Sequence, residues 1–284
     1  MCEFCLKHGE GEKWYLQAKN YSEDLLSDLR RLKFLDQFGD PQFMQREITR
    51  ADAAFGRIRK MPWFIRNLFT RMITGKMKKL HFGQVVPIED IEQIFKLTNS
   101  IVRVACVCRQ ATLGKEKRYC YGISLGPNGG KLLEIFRAVE KKYTGGVDDN
   151  KFEMLTREEA LTAFRAHELE GLCHTVWTFQ TPFIGGICNC DRADCLAMRG
   201  IFIHDMPAMF RAEYVAEIDA EACSGCRQCM RLCQFGALGY SAATKSAVVD
   251  KHRCYGCGIC RSTCGTNAIS LMDRAESPVA NLWQ

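Results

Sequence analysis

No stretch of this 284-residue sequence contains the roughly 18 consecutive apolar residues that a membrane-spanning helix needs, so the chain itself is not expected to cross a bilayer. It also lacks a G-x-G-x-x-G motif, which argues against a dinucleotide site, and no motif in it requires a flavin. No leader with a charged start and an apolar core follows Met1. We therefore expect a cytoplasmic protein in a reducing environment.

Cysteine is the residue type that stands out. The sequence contains 17 cysteines, and an odd number in a reducing compartment weakens any disulfide framework. Clustered thiols in the cytosol are more often metal ligands or redox groups. The rest of the composition, with 47% hydrophobic and 25% charged residues, is that of a globular protein. Its length suits about two packed domains.

Hydrophobic periodicity predicts helices and strand-like segments in alternation. The predicted helices cover 22–38, 42–60, a short segment from Pro87, 132–143, and a segment from Thr156 to Gly171 with a Thr156–Glu159 capping box. The predicted strands cover the valine-rich run 100–110 and the segment 173–179. This alternation indicates an α+β fold, with a mixed α/β domain upstream of a distinct C-terminal part.

From about residue 213 the sequence contains two copies of one unit, offset by 31 residues from Cys223 to Cys254. Each copy carries the pattern C-x2-C-x2-C-x3-C. Three thiolates spaced in this way wrap around one [4Fe–4S] cluster, and the fourth reaches the neighbouring cluster. The spacing predicts two ligand sets, namely Cys223, Cys226, Cys229 and Cys264, and Cys254, Cys257, Cys260 and Cys233.

This repeat resembles the bacterial-type ferredoxin domain with two [4Fe–4S] clusters, over roughly the last 70 residues. The resemblance implies a βαβ-βαβ fold and one-electron transfer, with any further chemistry carried out elsewhere. Paired zinc knuckles are the alternative, but they use two cysteines per loop and leave four unexplained. Where the family usually has proline after the fourth cysteine, this chain has Gln234 and Gly265. Their backbone N–H groups can donate to the clusters, which would raise the reduction potential.

Six upstream cysteines form a second pattern: Cys106, Cys108, Cys120, Cys188, Cys190 and Cys195. In an extended chain residues i and i+2 point to one face, so each of the two C-x-C pairs would present its thiols together. We interpret the set as a third metal site, an iron–sulfur cluster or zinc, while buried-core cysteines and a reversible disulfide remain the alternatives. Arg109 and Arg192 beside these thiols are expected to lower their pKa.

Two N-terminal features suggest further contacts. Cys2, Cys5 and His8 have the spacing of half a zinc or iron site, with an unligated tail as the alternative. Between Arg57 and Leu80 there are eight basic residues and no acidic one, in a chain of net charge +6. This segment is either an ordinary packed helix, a docking helix for an acidic partner, or an in-plane anchor on the inner face of a membrane. A nucleic-acid role is disfavoured because stacking aromatics do not alternate with the basic face.

Nearly the whole chain resembles ferredoxin-fused iron–sulfur proteins of anaerobes, on segments that include "ACVCRQ", "KRYCYG" and "ICNCDRADCLAMR". We divide it into a helical N-terminal region (1–80), a cysteine-rich α+β domain (81–212) and a ferredoxin domain (213–284). The expected function is a relay of single electrons to or from a larger anaerobic oxidoreductase. In the alternatives, an incompletely ligated upstream cluster is catalytic and receives electrons from the ferredoxin domain, or structural zinc supports a complex.

Overall fold

The structure is a computed structural model that describes residues 2–114, 117–144 and 153–283. Helices dominate the first 80 residues, a sheet with helices on both faces follows, and two small strand pairs end the chain. The predicted α+β class is confirmed by this arrangement.

The N-terminal region is helical. Its α-helices are α1 (Glu3–His8), α2 (Glu23–Leu26), α3 (Leu29–Phe38), α4 (Pro41–Arg59) and α5 (Trp63–Leu80). The single helix predicted over 22–38 is wrong because the chain breaks at Ser27 and Asp28. The Asp28 carboxylate accepts a hydrogen bond from the backbone N–H of Arg30 at 2.8 Å and thereby caps α3.

Helix α5 lies against the body with an unusual distribution of side chains. None of its residues is buried, and four large apolar side chains are mostly exposed: Trp63 (70%), Phe64 (58%), Leu68 (60%) and Met72 (62%). The large apolar residues of α5 therefore lie only partly on its packing face. No helix within the described ranges is long and apolar enough to pass through a lipid bilayer.

Seven strands in the described part of the chain form one sheet. They are β1 (Gly83–Val85), β2 (Ser100–Val104), β3 (Cys120–Ser124), β4 (Glu153–Leu155), β5 (Cys173–Thr178), β6 (Ile184–Cys190) and β7 (Met209–Phe210). Their order is β4-β2-β3-β6-β5-β1-β7, and neighbours are antiparallel except β1 and β7. The register sets Cys120 opposite Cys188 and Cys173 opposite Cys190. Four cysteines thus meet on three adjacent strands.

Helices cover both faces of this sheet. They are α6 (Ile88–Leu97), α7 (Val107–Leu113), α8 (Gly130–Thr144), α9 (Arg157–Leu169) and α10 (Leu196–His204). Helices α6 and α9 bury Phe95 and Phe164 against Tyr121 in the main core. On the other face, Phe136 of α8 lies where a Cβ on Gly122 would be, at 2.3 Å. The predicted capping box of Thr156 and Glu159 begins α9.

The C-terminal part repeats one strand–helix–strand unit. The first copy comprises β8 (Tyr214–Ile218), α11 (Gln228–Leu232) and β9 (Leu238–Ser241). The second comprises β10 (Ser246–Val249), a 3-10 helix (Ile259–Thr263) and β11 (Ile269–Asp273). Strand β8 pairs with β11 and β9 pairs with β10, both antiparallel. This is the βαβ-βαβ order that the resemblance to a two-cluster ferredoxin implies.

Candidate metal centres

Four cysteines near the surface form what we call the surface group: Cys223, Cys226, Cys229 and Cys264. Cys223 and Cys226 come from the loop between β8 and α11, Cys229 lies in α11, and Cys264 comes from the second copy. They line a cavity of about 280 Å³. The loop turns at Gly225 with φ 68°, where a Cβ would lie 2.5 Å from the carbonyl oxygen of Lys245. Only glycine fits this turn without moving the backbone.

The inner group consists of Cys233, Cys254, Cys257 and Cys260. It lines a narrow cavity of about 20 Å³. Backbone N–H groups already point at its sulfurs: Ala237 donates to Cys233 at 3.2 Å, and Ala216 donates to Cys254 at 3.5 Å. Such donors stabilise thiolates and their clusters.

Both groups fit a [4Fe–4S] cluster in the type and number of their donors. Each has four thiols, and in each the fourth thiol crosses from one copy to the other, which is the grouping that the spacing predicts. Cys223 also accepts a hydrogen bond from the backbone N–H of Ala247 at 3.4 Å.

Comparison with known families agrees with this geometry. Residues 216–239 and 247–270 each match the 4Fe-4S binding domain. The C-terminal region is a tandem 4Fe–4S binding region. Its two motifs bind [4Fe–4S] clusters, and the function they support is iron–sulfur electron transfer. The matched stretches cover about a sixth of the chain, and a comparison with curated proteins gives no match.

The structure brings together all six cysteines predicted as a third site. This upstream group consists of Cys106, Cys108, Cys120, Cys188, Cys190 and Cys195, and all six line one cavity beside the large sheet. The Sγ atoms of Cys106 and Cys120 are 3.3 Å apart, and those of Cys190 and Cys195 are 3.1 Å apart. Cys120 and Cys188 lie opposite each other on β3 and β6. Six convergent thiols fit a cysteine-ligated metal centre in donor chemistry.

The local structure behind this group differs from the sequence prediction for one pair. Cys188 and Cys190 lie on β6 and share a face, as expected. The extended chain predicted through Cys106 and Cys108 is wrong, because β2 ends at Val104 and Cys106 is the N-cap of α7. These two thiols therefore do not share the face of a strand, although both line the same cavity. The overlooked signal is Gly114, which ends α7 with φ 62°.

The electrostatics of the upstream group also differ from expectation. Burial raises the pKa of the Cys106 thiol, although Arg109 opposes this shift with an Nη1 atom 3.6 Å from the sulfur. Burial and, as the second largest cause, the neighbouring Cys195 raise the pKa of Cys108 to about 12. The guanidinium of Arg192 lies over the ring of Phe202 at 4.4 Å. Arg109 acts in the predicted direction on these thiols, but desolvation outweighs it at Cys106 and Cys108, whereas the pKa of Cys195 is lowered, chiefly by the hydrogen bond with Cys190.

The cavity beside the upstream group extends well beyond the sulfurs. Its volume is about 430 Å³, and it continues between the sheet and α4, α8 and α10. Away from the cysteines its walls are largely aromatic and aliphatic, and they include Phe38, Phe136, Trp177 and Phe179. The floor contains Gly186 of β6, where a side chain would otherwise project. The space is that of a small-molecule pocket.

Cys173 connects the two halves of the molecule, and the sequence prediction did not assign it to a site. Cys257 of the inner group packs against the buried cluster that contains Cys173, and after burial it is the largest cause of the raised pKa of the Cys173 thiol. On β5 it lies opposite Cys190 of the upstream group. Both Cys173 and Cys190 belong to a buried cluster that also contains Phe235 and Ile259. No spacing in the sequence could reveal this contact, because 84 residues separate Cys173 from Cys257.

The N-terminal pair is buried, with a different third group from the one predicted. The Sγ atoms of Cys2 and Cys5 are 3.1 Å apart, and an Oε1 atom of Glu213 is 3.5 Å from Cys5 Sγ. These three ligand atoms lie within 4.8 Å of one another. His8 is instead packed edge-on against Phe4, with ring centroids 5.5 Å apart. A glutamate 208 residues away cannot be found from local spacing.

Proposed function

We propose that the protein relays single electrons between a larger oxidoreductase of an anaerobic cell and a third iron–sulfur cluster, held by the upstream group. The observation that carries this proposal is a single buried cluster that contains Cys173, Cys190 and Cys195, against which Cys233 and Cys257 of the inner group pack. Bound [4Fe–4S] clusters accept and release one electron at a time.

The surface group is the most accessible of the three groups, because it contains the exposed Cys226. In the surface group Cys226 is exposed, whereas Cys254 and Cys260 of the inner group are buried. In the upstream group Cys106 and Cys190 are also buried. A partner protein would therefore dock at the surface group, where the thiols are accessible, while the protein shields the other two from water.

Ring stacking and hydrogen bonds near Cys173 join the ferredoxin region to the upstream domain. The rings of Phe235 and Tyr255 stack with centroids 4.0 Å apart, next to the inner group. Gln234, at the position that is usually proline, donates from its amide nitrogen to the Gly171 carbonyl at 2.6 Å. Its amide oxygen accepts from the backbone N–H of Arg192 at 2.9 Å. These contacts fix the ferredoxin region against the upstream domain.

The proposal predicts the metal content. Anaerobically purified protein is expected to contain about twelve irons and about twelve sulfides per chain. A Cys106→Ala, Cys190→Ala double variant is expected to retain about eight, because the surface and inner groups keep all their thiols. Iron and sulfide analysis with EPR provides the measurement. Equal iron content and spectra in the two proteins would refute an upstream cluster.

The cavity favours a second candidate function, in which the upstream site is catalytic. Its apolar volume of about 430 Å³ opens directly onto six thiols, and a pure relay has no need of such a space. Cyanide added to the reduced protein separates the two functions. A relay with every iron cysteine-ligated keeps its EPR signals, whereas an iron with an open position changes its signal in wild type but not in the double variant.

The exposed face of α5 is the proposed contact with an anionic membrane surface. Phe64, Leu68 and Met72 follow one another at i, i+4 and i+8, so their exposed side chains form one ridge. Exposed Arg71 and Lys79 accompany them, and no acidic residue lies between 57 and 80. An apolar ridge beside basic side chains suits a helix in the plane of an interface.

We expect the protein to float with vesicles that contain phosphatidylglycerol at low salt, and to remain behind with phosphatidylcholine alone. Leu68→Glu should weaken this binding at least about tenfold, because it removes an inserted side chain and adds a negative charge. The matched control is Leu169→Glu on α9, since the two leucines are 60% and 61% exposed. Equal loss in both variants, or none in either, would exclude α5 as the contact.

A further inference from the structure

We propose that Cys2, Cys5 and Glu213 bind one zinc ion, with the side-chain oxygen of Gln84 as the fourth ligand. This site is separate from the three cysteine groups and does not depend on electron transfer. It would attach the N-terminus to the junction between the large sheet and the ferredoxin region.

The donor atoms converge from three distant parts of the chain. The Cys5 Sγ atom is 3.1 Å from Cys2 Sγ and 3.5 Å from Glu213 Oε1, and the Gln84 Oε1 atom is 3.5 Å from Cys2 Sγ. All four residues are buried. Two thiolates on tetrahedral zinc lie about 3.8 Å apart, given Zn–S bonds of about 2.3 Å. The sulfurs therefore need to separate by only about 0.7 Å.

Surrounding groups hold the two oxygen donors in place. The indole N–H of Trp14 donates to Gln84 Oε1, while Gln84 Nε2 donates to the Arg211 carbonyl at 3.1 Å. The amide is thus oriented with its oxygen toward Cys2. The second carboxylate oxygen of Glu213 lies 3.1 Å from Nε of Arg274. Such contacts around a site orient its ligands and fix which atom faces the metal.

Charge balance favours a divalent cation at this position. Two thiolates and one carboxylate would bring three negative charges into a buried site, and Arg274 supplies one positive charge. Buried charges of one sign are costly unless they are paired or coordinate a metal. A divalent ion would bring the sum of these formal charges to zero.

The compactness of this set distinguishes it from the cluster groups. Among the residues that the structure describes, Cys2, Cys5 and Glu213 form the one group of three or more such side chains whose ligand atoms all lie within 4.8 Å of one another. A single ion requires that closeness, whereas a cluster of several irons keeps its thiolates further apart. Two thiolates select a soft or borderline ion such as zinc over magnesium or calcium, and zinc also accepts a carboxylate oxygen as a ligand.

Metal analysis and zinc K-edge absorption of the full-length protein, purified anaerobically without chelator, test the site. We expect about one zinc per chain, with two sulfurs at about 2.3 Å and two oxygens at about 2.0–2.2 Å. Cys5→Ser and Glu213→Gln should each lower the zinc content at least twofold and leave iron, sulfide and cluster EPR unchanged. His8→Gln is the matched control, because His8 lies beside the site without facing it, and should retain zinc.

Three results would overturn the proposal. One is wild-type protein without zinc, and another is zinc with four sulfur ligands, which would place it in a cysteine group. The third is a Cys2–Cys5 disulfide found by mass spectrometry after alkylation of free thiols. The wild-type measurements stand even if a variant fails to fold, and iron content reports on the electron-transfer proposal separately.

Discussion

Replacing Gly256 by alanine is expected to remove the inner cluster and lower the iron content by about four per chain. Gly256 lies between two cysteines of the inner group and has φ 68°. A Cβ there would lie 2.0 Å from the carbonyl oxygen of Tyr214, which β8 holds in place. The left-handed backbone costs about 1–2 kcal/mol, and the overlap adds about 1–3 kcal/mol. Thermal denaturation and iron analysis measure both effects.

Alanine substitutions at two other glycines of the ferredoxin region separate the backbone cost from the steric overlap. Gly236→Ala has a similar φ of 59°, but its nearest neighbour is the flexible end of Arg253 at 3.0 Å, so only the backbone cost is expected. Gly239→Ala on β9 meets Val248 at 3.5 Å, an ordinary contact, and should change stability by less than about 0.5 kcal/mol. Full iron content in Gly256→Ala would contradict this prediction and show that the loop around residue 256 can adopt a different backbone conformation.

The success of the sequence prediction at the C-terminus has a local cause. The ferredoxin loops bring their own thiols together, because three cysteines within seven residues need only one turn to converge. The fourth thiol follows from the duplication. Glycines such as Gly225 and Gly256 mark the turns, and their positive φ values explain why those positions are glycine. The spacing therefore identified the same two groups of sulfurs that the structure shows.

Upstream, the six cysteines that the sequence singled out line one cavity, but the predicted extended chain at Cys106 and Cys108 is wrong. Strand alternation places Cys188 and Cys190 correctly, but β2 ends before Cys106, which caps α7, and Cys108 lies within that helix. Strand register decides that Cys173 faces Cys190. The packing of Cys257 against the cluster that contains Cys173 depends on how the ferredoxin region docks onto the upstream domain. Pairings of this kind are tertiary, so no periodicity along the chain encodes them.

Glu213, next to the N-terminal cysteines in the structure, is also a tertiary neighbour that local sequence spacing could not predict. Local spacing proposed His8 as the partner of Cys2 and Cys5, since a helix places residues three positions apart on one side. In the structure α1 turns its cysteines inward, toward the residue just before β8. A carboxylate from another segment takes the place that His8 would have filled.

Arg109→Met is the second change with a large expected effect, a loss of about 3 kcal/mol of stability together with the upstream metal. Arg109 is buried, and its guanidinium pairs with Asp191, lies 3.7 Å from Asp194, and donates to the Asn189 carbonyl at 3.3 Å. Methionine has a similar reach but no charge, so it would leave the Asp191 carboxylate without its cation. The contacts between α7 and the end of β6 would be lost with it.

The matched control is Arg192→Met. Both arginines lie close to upstream cysteines in the sequence, but in the structure Arg109 is buried and Arg192 is exposed. Arg192 is exposed, and its main side-chain contact is the ring of Phe202. Its backbone N–H, which binds Gln234, survives the substitution. We expect a loss below about 1 kcal/mol and unchanged metal content. Equal effects in the two variants, by thermal denaturation and iron or zinc analysis, would contradict a special role for Arg109. A large effect confined to Arg109→Met would show that this buried cation organises the upstream group through Asp191, rather than by activating its thiols.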